Sequence, residues 1–256
     1  MELNVLTYNL FTPILGSHYQ QERLDLFVEE VSKRNVEILL LQEIFIFSFL
    51  GFKTYGYENY LEDKLKPYFP YIIHSSPIFL FQNPGLFVAS KYPIKKIDEI
   101  FFNDHERLEY FTTKGALLFN ITKEDNVLSF VNTHLHCQND LPKYSLIRRN
   151  QLRDIHRMVE KNLINEFLLG GDLNIDSKNP DEINDYYFIQ SLFNNTMIDV
   201  FNKEIIFPTT SSPNSRIDYL LYFGNNYYLT GKVIDLSSDT LMISDHFGII
   251  GHLSLN

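Results

Sequence analysis

Residues 36–43, VEILLLQE, form a continuous apolar run that ends abruptly in Gln42 and Glu43. A run of this length without alternation of polar and apolar residues is typical of a strand that is buried on both faces. We therefore expect a central strand whose C-terminal end emerges from the core and carries polar side chains.

Other strands and helices can be placed around this central strand. Helical periodicity predicts one helix near residues 20–33 and another over about 145–163, and Asn179 before Pro180 indicates the start of a third. Further strands are expected at 3–9, 85–90, 115–121, 127–133, 167–170, 216–222, 231–236 and 247–253. Many strands with a few helices between them predict an α/β (α+β) protein. The expected architecture is a four-layer αββα sandwich, in which two packed mixed sheets carry outer helices.

Composition limits the class of protein. With 45% hydrophobic and 21% charged residues, the chain is typical of a globular protein. No repeat or linker interrupts it, so residues 1–256 are expected to form a single domain and to act as a monomer. The net charge of −10 opposes non-specific binding to nucleic acid. Cys137 is the only cysteine, which excludes an intramolecular disulfide and a thiolate zinc site.

The N-terminal sequence and the longest apolar run bear on location. The chain starts as a strand without a basic region, so no secretory signal is expected, although secretion remains open if a signal peptide has been removed. The apolar run at 44–52 is far shorter than the roughly 20 residues of a membrane-spanning helix. We expect no transmembrane segment, and a cytoplasmic or peripheral membrane location.

Polar side chains cluster at particular ends of the predicted strands. They follow the early strands, but they precede the last two. If the late strands run antiparallel to the early ones, all these ends lie at one edge and converge on one cleft. The side chains concerned are Asn9, Glu43, His134, Asp172, Asn174, Asp218, Asp245 and His246.

Four carboxylates gathered beside two imidazoles would repel one another unless a cation lies among them. Carboxylate and amide oxygens without cysteine favour Mg²⁺, with Mn²⁺ as an alternative. Such a metal neutralises charge on phosphoryl oxygens, and an imidazole can take a proton from an attacking water. The pattern therefore predicts cleavage of a phosphate ester.

Seven segments resemble the endonuclease/exonuclease/phosphatase (DNase I-like) superfamily and follow one another along almost the whole chain. They are NVLTYNL, LLLQEI, GLFVASKYPI, NTHLH, GGDLNI, RIDYLL and SDHFGI. The resemblance implies the four-layer sandwich and phosphoesterase chemistry that depends on a divalent metal. It also implies a metal held by Glu43 as direct ligand, with Asn9 beside it and Asp245 as an additional metal or orienting carboxylate.

The same resemblance implies catalytic roles for the other polar residues. His134 is similar to the imidazole that contacts the scissile phosphate. Asp172 and Asn174 resemble the pair that orients water, phosphate or leaving group, so His134 and Asn174 are also expected to bind substrate. Asp218 resembles the carboxylate that orients the general base, His246.

A narrower resemblance points to a substrate. The segment TTKGALLFNI at 112–121, and THLH followed by Arg148, Arg149 and Gln151, are similar to the neutral, magnesium-dependent sphingomyelinases. This implies hydrolysis of a choline phospholipid at a membrane surface, with release of phosphocholine. Two alternatives stay open, namely a DNA or RNA endo- or exonuclease of the same superfamily and a non-catalytic binding module.

Some residues allow a simpler interpretation. Asp218, taken alone, could merely pair with Arg216 at a strand start. Lys114 could be solvated or could approach an anionic phosphate, and we leave it outside the catalytic set. The aromatic stretches at 44–52 and 77–81 could lie in the core, or an exposed subset could meet a lipid interface.

Overall fold

The computed structural model describes residues 2–12, 18–103, 113–137, 142–194, 196–201, 208–211 and 214–256. Within these residues, two large sheets dominate the fold. The first sheet has the strand order β14 (Tyr227–Ile234), β15 (Gly248–Leu255), β1 (Glu2–Asn9), β2 (Ile38–Gln42), β7 (Phe87–Ser90) and β5 (Tyr71–His74). Its middle strands come from both ends of the chain, so the predicted N- and C-terminal strands are neighbours.

The second sheet and a smaller third sheet complete the strands. The second has the order β12 (Met197–Asp199), β13 (Asp218–Phe223), β11 (Phe167–Asp172), β10 (Asn126–His134), β9 (Gly115–Lys123) and β8 (Ile94–Phe101). The third consists of β4 (Phe52–Gly56), β3 (Ile46–Phe49) and β6 (Leu80–Gln82). Sequence patterns did not predict this third sheet.

Four helices cover the outer faces of the large sheets in the described chain. Helices α1 (Gln20–Ser32) and α2 (Glu58–Leu65) share a core with the first sheet. Helices α3 (Pro142–Lys161) and α4 (Ile183–Leu192) share one with the second sheet. A third core lies between the two sheets. The predicted four-layer αββα sandwich is therefore confirmed. None of the described helices is long and apolar enough to cross a membrane.

Strand β2 shows why its sequence is apolar without alternation. Ile38 and Leu40 point into the core between the sheets, whereas Leu39 and Leu41 point into the core beneath α1 and α2. All four side chains are completely buried. A strand covered by a sheet on one face and helices on the other has no solvent-exposed face, so every position is apolar.

The directions of the strands place their polar ends together. Strand β1 runs parallel to β2, and β10 runs parallel to β11. Strand β15 is antiparallel to β1, and β13 is antiparallel to β11. The C-terminal ends of β1, β2, β10 and β11 therefore meet the N-terminal ends of β13 and β15, as the sequence pattern required. We call this side of the sandwich the cleft end and the opposite side the far end.

The start of the third helix differs from the prediction. Helix α4 begins at Ile183, not at Pro180. The carbonyl of Asn179 accepts the backbone N–H groups of both Glu182 and Ile183, and the Asn179 side chain accepts the N–H of Asp181. Asn179 thus closes a turn before the helix, because a short polar side chain stabilises turns as well as helix starts.

Candidate active site

Three neighbouring strands of the second sheet each carry one functional side chain at the cleft end. His134 at the end of β10 is in register with Asp172 at the end of β11, which in turn is in register with Asp218 at the start of β13. All three side chains are buried. The His134 Nε2 and Asp172 Oδ2 atoms lie 3.4 Å apart.

Two glycines bring Asp172 this close to its neighbours. A Cβ on Gly171 would lie 1.9 Å from the carbonyl oxygen of Thr133, and the residue has φ +147°. A Cβ on Gly170 would meet the Leu40 side chain of the other sheet at 2.4 Å. A side chain at Gly171 would therefore push β11 away from β10, and one at Gly170 would push the two sheets apart, so both positions require glycine.

Asn9 at the end of β1 links the two sheets across the cleft. Its Nδ2 donates to Glu43 Oε1 at 3.0 Å and to Asp172 Oδ2 at 3.1 Å, while its Oδ1 accepts the Phe11 N–H at 3.0 Å. Glu43 follows β2 with φ +61°, which turns the chain out of the sheet. Its Oε1 lies 4.0 Å from His134 Nε2. Asn9 thus positions two carboxylates through its amide group.

His246 reaches the same place from the segment before β15. The Ser244 hydroxyl donates to the Asn9 carbonyl at 2.7 Å and accepts the His246 N–H at 3.1 Å. The imidazole Nδ1 lies 2.9 Å from Asp218 Oδ2, and its Nε2 lies 3.8 Å from Asp172 Oδ2. Asp218 and His246, which the sequence pattern paired, are therefore in hydrogen-bond contact.

Asp172, Asp218 and His246 form a compact cluster. Each offers one potential ligand atom, and these atoms lie within 4.8 Å of one another. Burial and the charge of Asp218 raise the pKa of Asp172 to about 7. Among the described residues, the buried Asp218 Oδ1 has no hydrogen-bond partner. A crowded carboxylate pair with an unused oxygen favours a hard divalent cation close by, because such an ion offsets the charge of neighbouring carboxylates.

The two imidazoles differ in their protonation. Burial lowers the pKa of His134 well below its ordinary value, and the nearby Lys114 and His246 lower it further. Burial also lowers the pKa of His246, but Asp218, Asp172 and Asp245 outweigh it and raise the pKa to about 10. In the protein without metal, His134 is therefore neutral at pH 7 and His246 carries a proton.

Asn174 and Asp245 lie at the margin of the cluster. The Asn174 N–H donates to Asp172 Oδ1 at 2.9 Å, and its side-chain amide donates to the Leu135 carbonyl at 3.1 Å. Asp245 Oδ1 lies 3.3 Å from the Ser244 hydroxyl oxygen, and Asp245 lines an adjoining groove together with Phe11. The expected roles of both residues stay predictions.

Lys114 is a candidate residue that sequence reasoning left outside the set. It is 6% exposed, and its Nζ lies 2.8 Å from His134 Nε2 and 3.1 Å from Nδ1. A buried ammonium group beside the cluster can attract an anionic phosphate. The signal in the sequence was a lysine directly before Gly115 at the start of β9, but only the register of β9 and β10 brings it to His134.

Further buried polar residues support the cluster without touching it. Thr209 Oγ1 accepts the N–H groups of Ile217 and Asp218 at 3.0 and 3.1 Å, which holds the start of β13. The Gln42 side chain donates to Asn132 Oδ1 at 2.8 Å and so joins the two sheets below the cleft. Polar residues inside apolar strands were the available signal for Gln42 and Asn132.

Arg216 does not pair with Asp218. Its guanidinium contacts Asp199 at 2.5 and 2.6 Å, and both side chains are buried. The simpler interpretation of Asp218, as the partner of a nearby arginine, is therefore wrong. Asp218 faces His246 instead.

The chain resembles known proteins both in sequence and in structure. The model of the endonuclease/exonuclease/phosphatase family matches residues 6–246. The chain is similar to sphingomyelinase C of Bacillus cereus, with 24% identity over an alignment 283 residues long that covers 96% of this chain and 83% of that protein. It is 28% identical to a putative neutral sphingomyelinase of Drosophila melanogaster over 68% of this chain and 39% of that protein.

Solved structures share the fold. The crystal structure of SmcL has a TM-score of 0.79 at 18% identity, with 99% of each chain covered. A beta toxin variant from Staphylococcus aureus, crystallised with bound magnesium ions, has a TM-score of 0.76 at 19% identity and covers 98% of this chain and 99% of its own. At these identities the likeness shows the sandwich fold.

Proposed function

The chain belongs to the endonuclease/exonuclease/phosphatase family and is a phosphodiesterase, and we propose that it is a magnesium-dependent lipid phosphodiesterase of the sphingomyelinase type. Its substrate is a choline phospholipid, which water cleaves to phosphocholine and a ceramide-like product. We propose that residues 1–256 act as one catalytic domain, as a monomer, on the surface of a membrane.

The observation that carries the proposal is the cluster of Asp172, Asp218 and His246 within 4.8 Å. Its members come from β11, β13 and the segment before β15, and Asn9 ties Asp172 to Glu43. An arrangement in which Asp218 orients one imidazole and leaves its other nitrogen facing the cleft suits acid–base chemistry.

The donor set supports a magnesium ion, with Mn²⁺ as a substitute. Glu43 is the proposed carboxylate ligand, Asn9 holds it in place, and Asp245 is the proposed additional carboxylate. Mg²⁺ usually takes one or two carboxylates together with water and phosphate oxygens. When bound, the ion neutralises these carboxylates and the charge that develops on the phosphoryl oxygens. The magnesium bound to the Staphylococcus aureus beta toxin variant supports this choice.

His246 is the proposed general base. Its Nδ1 donates to Asp218 Oδ2 at 2.9 Å, which leaves Nε2 to accept the proton of the attacking water. The surrounding carboxylates raise the pKa of this imidazole to about 10 in the absence of metal. A divalent cation beside these carboxylates would offset their charge and lower this pKa towards neutrality, which would allow the imidazole to act as a base.

His134 and Lys114 supply the proposed contacts to the phosphate. The Lys114 ammonium lies against the His134 ring, and both side chains are buried. Together they offer hydrogen-bond donors and a positive charge to a phosphoryl oxygen, beside the carboxylates of Asp172 and Glu43. Asp172 and Asn174 are proposed to orient water or the leaving group, because the Asn174 N–H fixes the Asp172 carboxylate.

The relatives favour a lipid over a nucleic acid as substrate. Curated relatives from Bacillus cereus and Drosophila melanogaster are sphingomyelinases by name. The net charge of −10 also disfavours a polyanionic substrate. A choline head group is positively charged and is compatible with an acidic protein.

The test is release of phosphocholine from sphingomyelin vesicles. We expect turnover by the wild type with Mg²⁺, none with EDTA, and a loss of at least about a thousandfold in Glu43→Gln and His246→Ala, because each removes a group that the reaction requires. Plasmid DNA nicking by the wild type without lipid turnover would replace the proposal with a nuclease. If neither a phosphodiester nor a phosphomonoester is cleaved with Mg²⁺ or Mn²⁺, the chain is a binding module.

A further inference from the structure

Four large apolar side chains lie exposed together at the turn of the β3–β4 hairpin and directly before the neighbouring strand β6. Phe49, Leu50 and Phe52 are 57, 53 and 75% exposed, and Phe79 is 64% exposed. We call these four residues the tip cluster. Single exposed apolar residues are normal on a protein surface, but a contiguous group of this size is typical of an interaction site.

The hairpin that carries the tip cluster is an ordered part of the fold. The Gly51 N–H donates to the Phe79 carbonyl at 2.9 Å, and β3 pairs with both β4 and β6. At the base, the Ile46 N–H donates to the buried Asn83 side chain at 2.8 Å. Hydrogen bonds along its whole length hold the hairpin, so the exposed rings are presented in a defined arrangement.

The base of the same small sheet is connected to the cleft through two of its strands, β3 and β6. Strand β3 begins three residues after Glu43. On the other side, the Gln82 carbonyl at the end of β6 accepts the Thr113 N–H, directly before Lys114. Lys114 contacts His134. The tip cluster is therefore carried on a short hairpin whose base adjoins the cleft.

The two segments that carry the tip cluster contain no negative charge, although the protein as a whole is acidic. Residues 44–52 and 75–90 contain no charged side chain at all. Between them, Lys53 pairs with the buried Glu58. The chain as a whole has 32 acidic residues and a net charge of −10. Apolar segments without carboxylates are compatible with a lipid head-group layer, whereas the net negative charge of the whole chain provides no attraction to one.

We propose that the tip cluster docks this protein on a bilayer of zwitterionic phospholipids by inserting its rings into the interface. The proposal rests on the proposed function, because a lipid substrate must be reached in its bilayer. Tyr55, which is 43% exposed on β4, suits the polar boundary of such an interface, since its ring is apolar and its hydroxyl is polar. The proposed partner of the tip cluster is the surface of the bilayer itself.

The chain contains no tryptophan, which allows a direct test. In Phe52→Trp, the only indole of the protein reports on the tip cluster. With phosphatidylcholine vesicles in EDTA, we expect a blue shift of its emission and quenching by brominated phosphatidylcholine, because the ring enters the acyl region. The matched control is Tyr228→Trp, which replaces an aromatic residue that is 61% exposed at the far end. Its emission should not change.

Removal of the exposed rings tests the affinity. For Phe49→Ser/Phe52→Ser/Phe79→Ser, we expect at least a tenfold loss of sedimentation with phosphatidylcholine vesicles. Tyr228→Ser should sediment like the wild type. Hydrolysis of a monomeric, water-soluble phosphodiester should be the same in the triple variant as in the wild type, because none of the three side chains lines the cluster of Asp172, Asp218 and His246. Equal turnover also shows that the variant is folded.

Three results would overturn the proposal. The first is vesicle binding by the triple variant equal to that of the wild type. The second is the same fluorescence response from both tryptophan variants. The third is a dimer in solution that dissociates in the triple variant, which would make a second copy of the chain the occupant, since β4 and β6 have open edges in the described structure. Vesicle binding in EDTA is measured without turnover, so failed docking and a failed proposed function are distinguishable.

Discussion

The two ends of the sandwich hold buried carboxylates in opposite ways. At the far end, Glu37 lies just before β2 and is surrounded by donors. Its carboxylate accepts the Asn4 N–H at 2.9 Å, the Lys123 ammonium at 2.8 Å and the Tyr92 hydroxyl. At the cleft end, Asp172 and Asp218 face each other on neighbouring strands. There, Asp218 Oδ1 has no partner among the described residues.

The difference appears in the pKa values of the carboxyl groups. Burial raises the pKa of Glu37, but Lys123, Tyr92 and the Asn4 N–H outweigh it and bring it below the ordinary value. Burial and the charge of Asp218 raise the pKa of Asp172 to about 7. The far end therefore gains stability from its carboxylate, whereas the cleft end loses stability by keeping its carboxylates close together. Buried carboxylates that are kept close together at a cost in stability are typical of functional sites.

The largest expected effect is on activity at the cleft end. Asp172→Asn removes one of the crowded charges, so we expect phosphocholine release to fall by about a thousandfold or more. We expect the urea midpoint of the metal-free variant at pH 7.5 to be no lower than that of the wild type, because repulsion from Asp218 is relieved. Asp63→Asn, an exposed position on α2, is the control and should change neither quantity. Activity within tenfold of the wild type would contradict this assignment.

The next largest effect is expected on the stabilisation of the folded chain by Mg²⁺. Mg²⁺ should stabilise the wild type by about 2.7 kcal/mol at a hundred times its dissociation constant, because only the folded chain brings the ligands together. In Glu43→Gln the same addition should have little effect. Thermal unfolding with a series of Mg²⁺ concentrations measures both. A variant that is stabilised as much as the wild type would remove Glu43 from the proposed ligand set.

Much of this arrangement could be predicted from the sequence because the relevant signals are local. The run at 36–43 indicated a strand buried on both faces, and the structure covers it with a sheet and two helices. The polar residues at the strand ends indicated a shared edge, and the registers of His134, Asp172 and Asp218 place them side by side. Each inference needed only the residues of one strand and the direction of its neighbours.

The features that were missed depend on contacts between distant residues. Lys114 meets His134 only because β9 and β10 pair in one particular register. Glu37 and Lys123 are 86 positions apart and meet across the two sheets. The sequence of the β3–β4 hairpin shows only an apolar stretch, because polar and apolar residues do not alternate clearly along its two strands. Periodicity cannot report such pairings, since they depend on tertiary packing.

The smallest effect is expected at the far end, and it concerns stability alone. Lys123→Met removes the ammonium group that donates a hydrogen bond to Glu37 but keeps an apolar side chain of similar length. We expect a loss of about 2 kcal/mol in the free energy of unfolding at pH 7, because hydrogen bonds to buried charged groups are worth about 1–3 kcal/mol. Phosphocholine release should not change. Urea unfolding measures the first quantity, and Lys95→Met, at an exposed position of β8, is the matched control.

The pH dependence of this loss distinguishes the ion pair from simple packing. The pKa of Glu37 is lowered on folding, so its carboxylate contributes stability above its unfolded value of 4.5, and the contribution disappears as the pH falls through the lower folded value. The difference between the wild type and Lys123→Met should therefore be constant from pH 7 to pH 5 and shrink below 4.5. A difference that persists undiminished at pH 3 would mean that the lysine stabilises the far end through its stem and its contact with the Tyr92 ring. The stability of the far end would then depend on the packing of Lys123 more than on its charge.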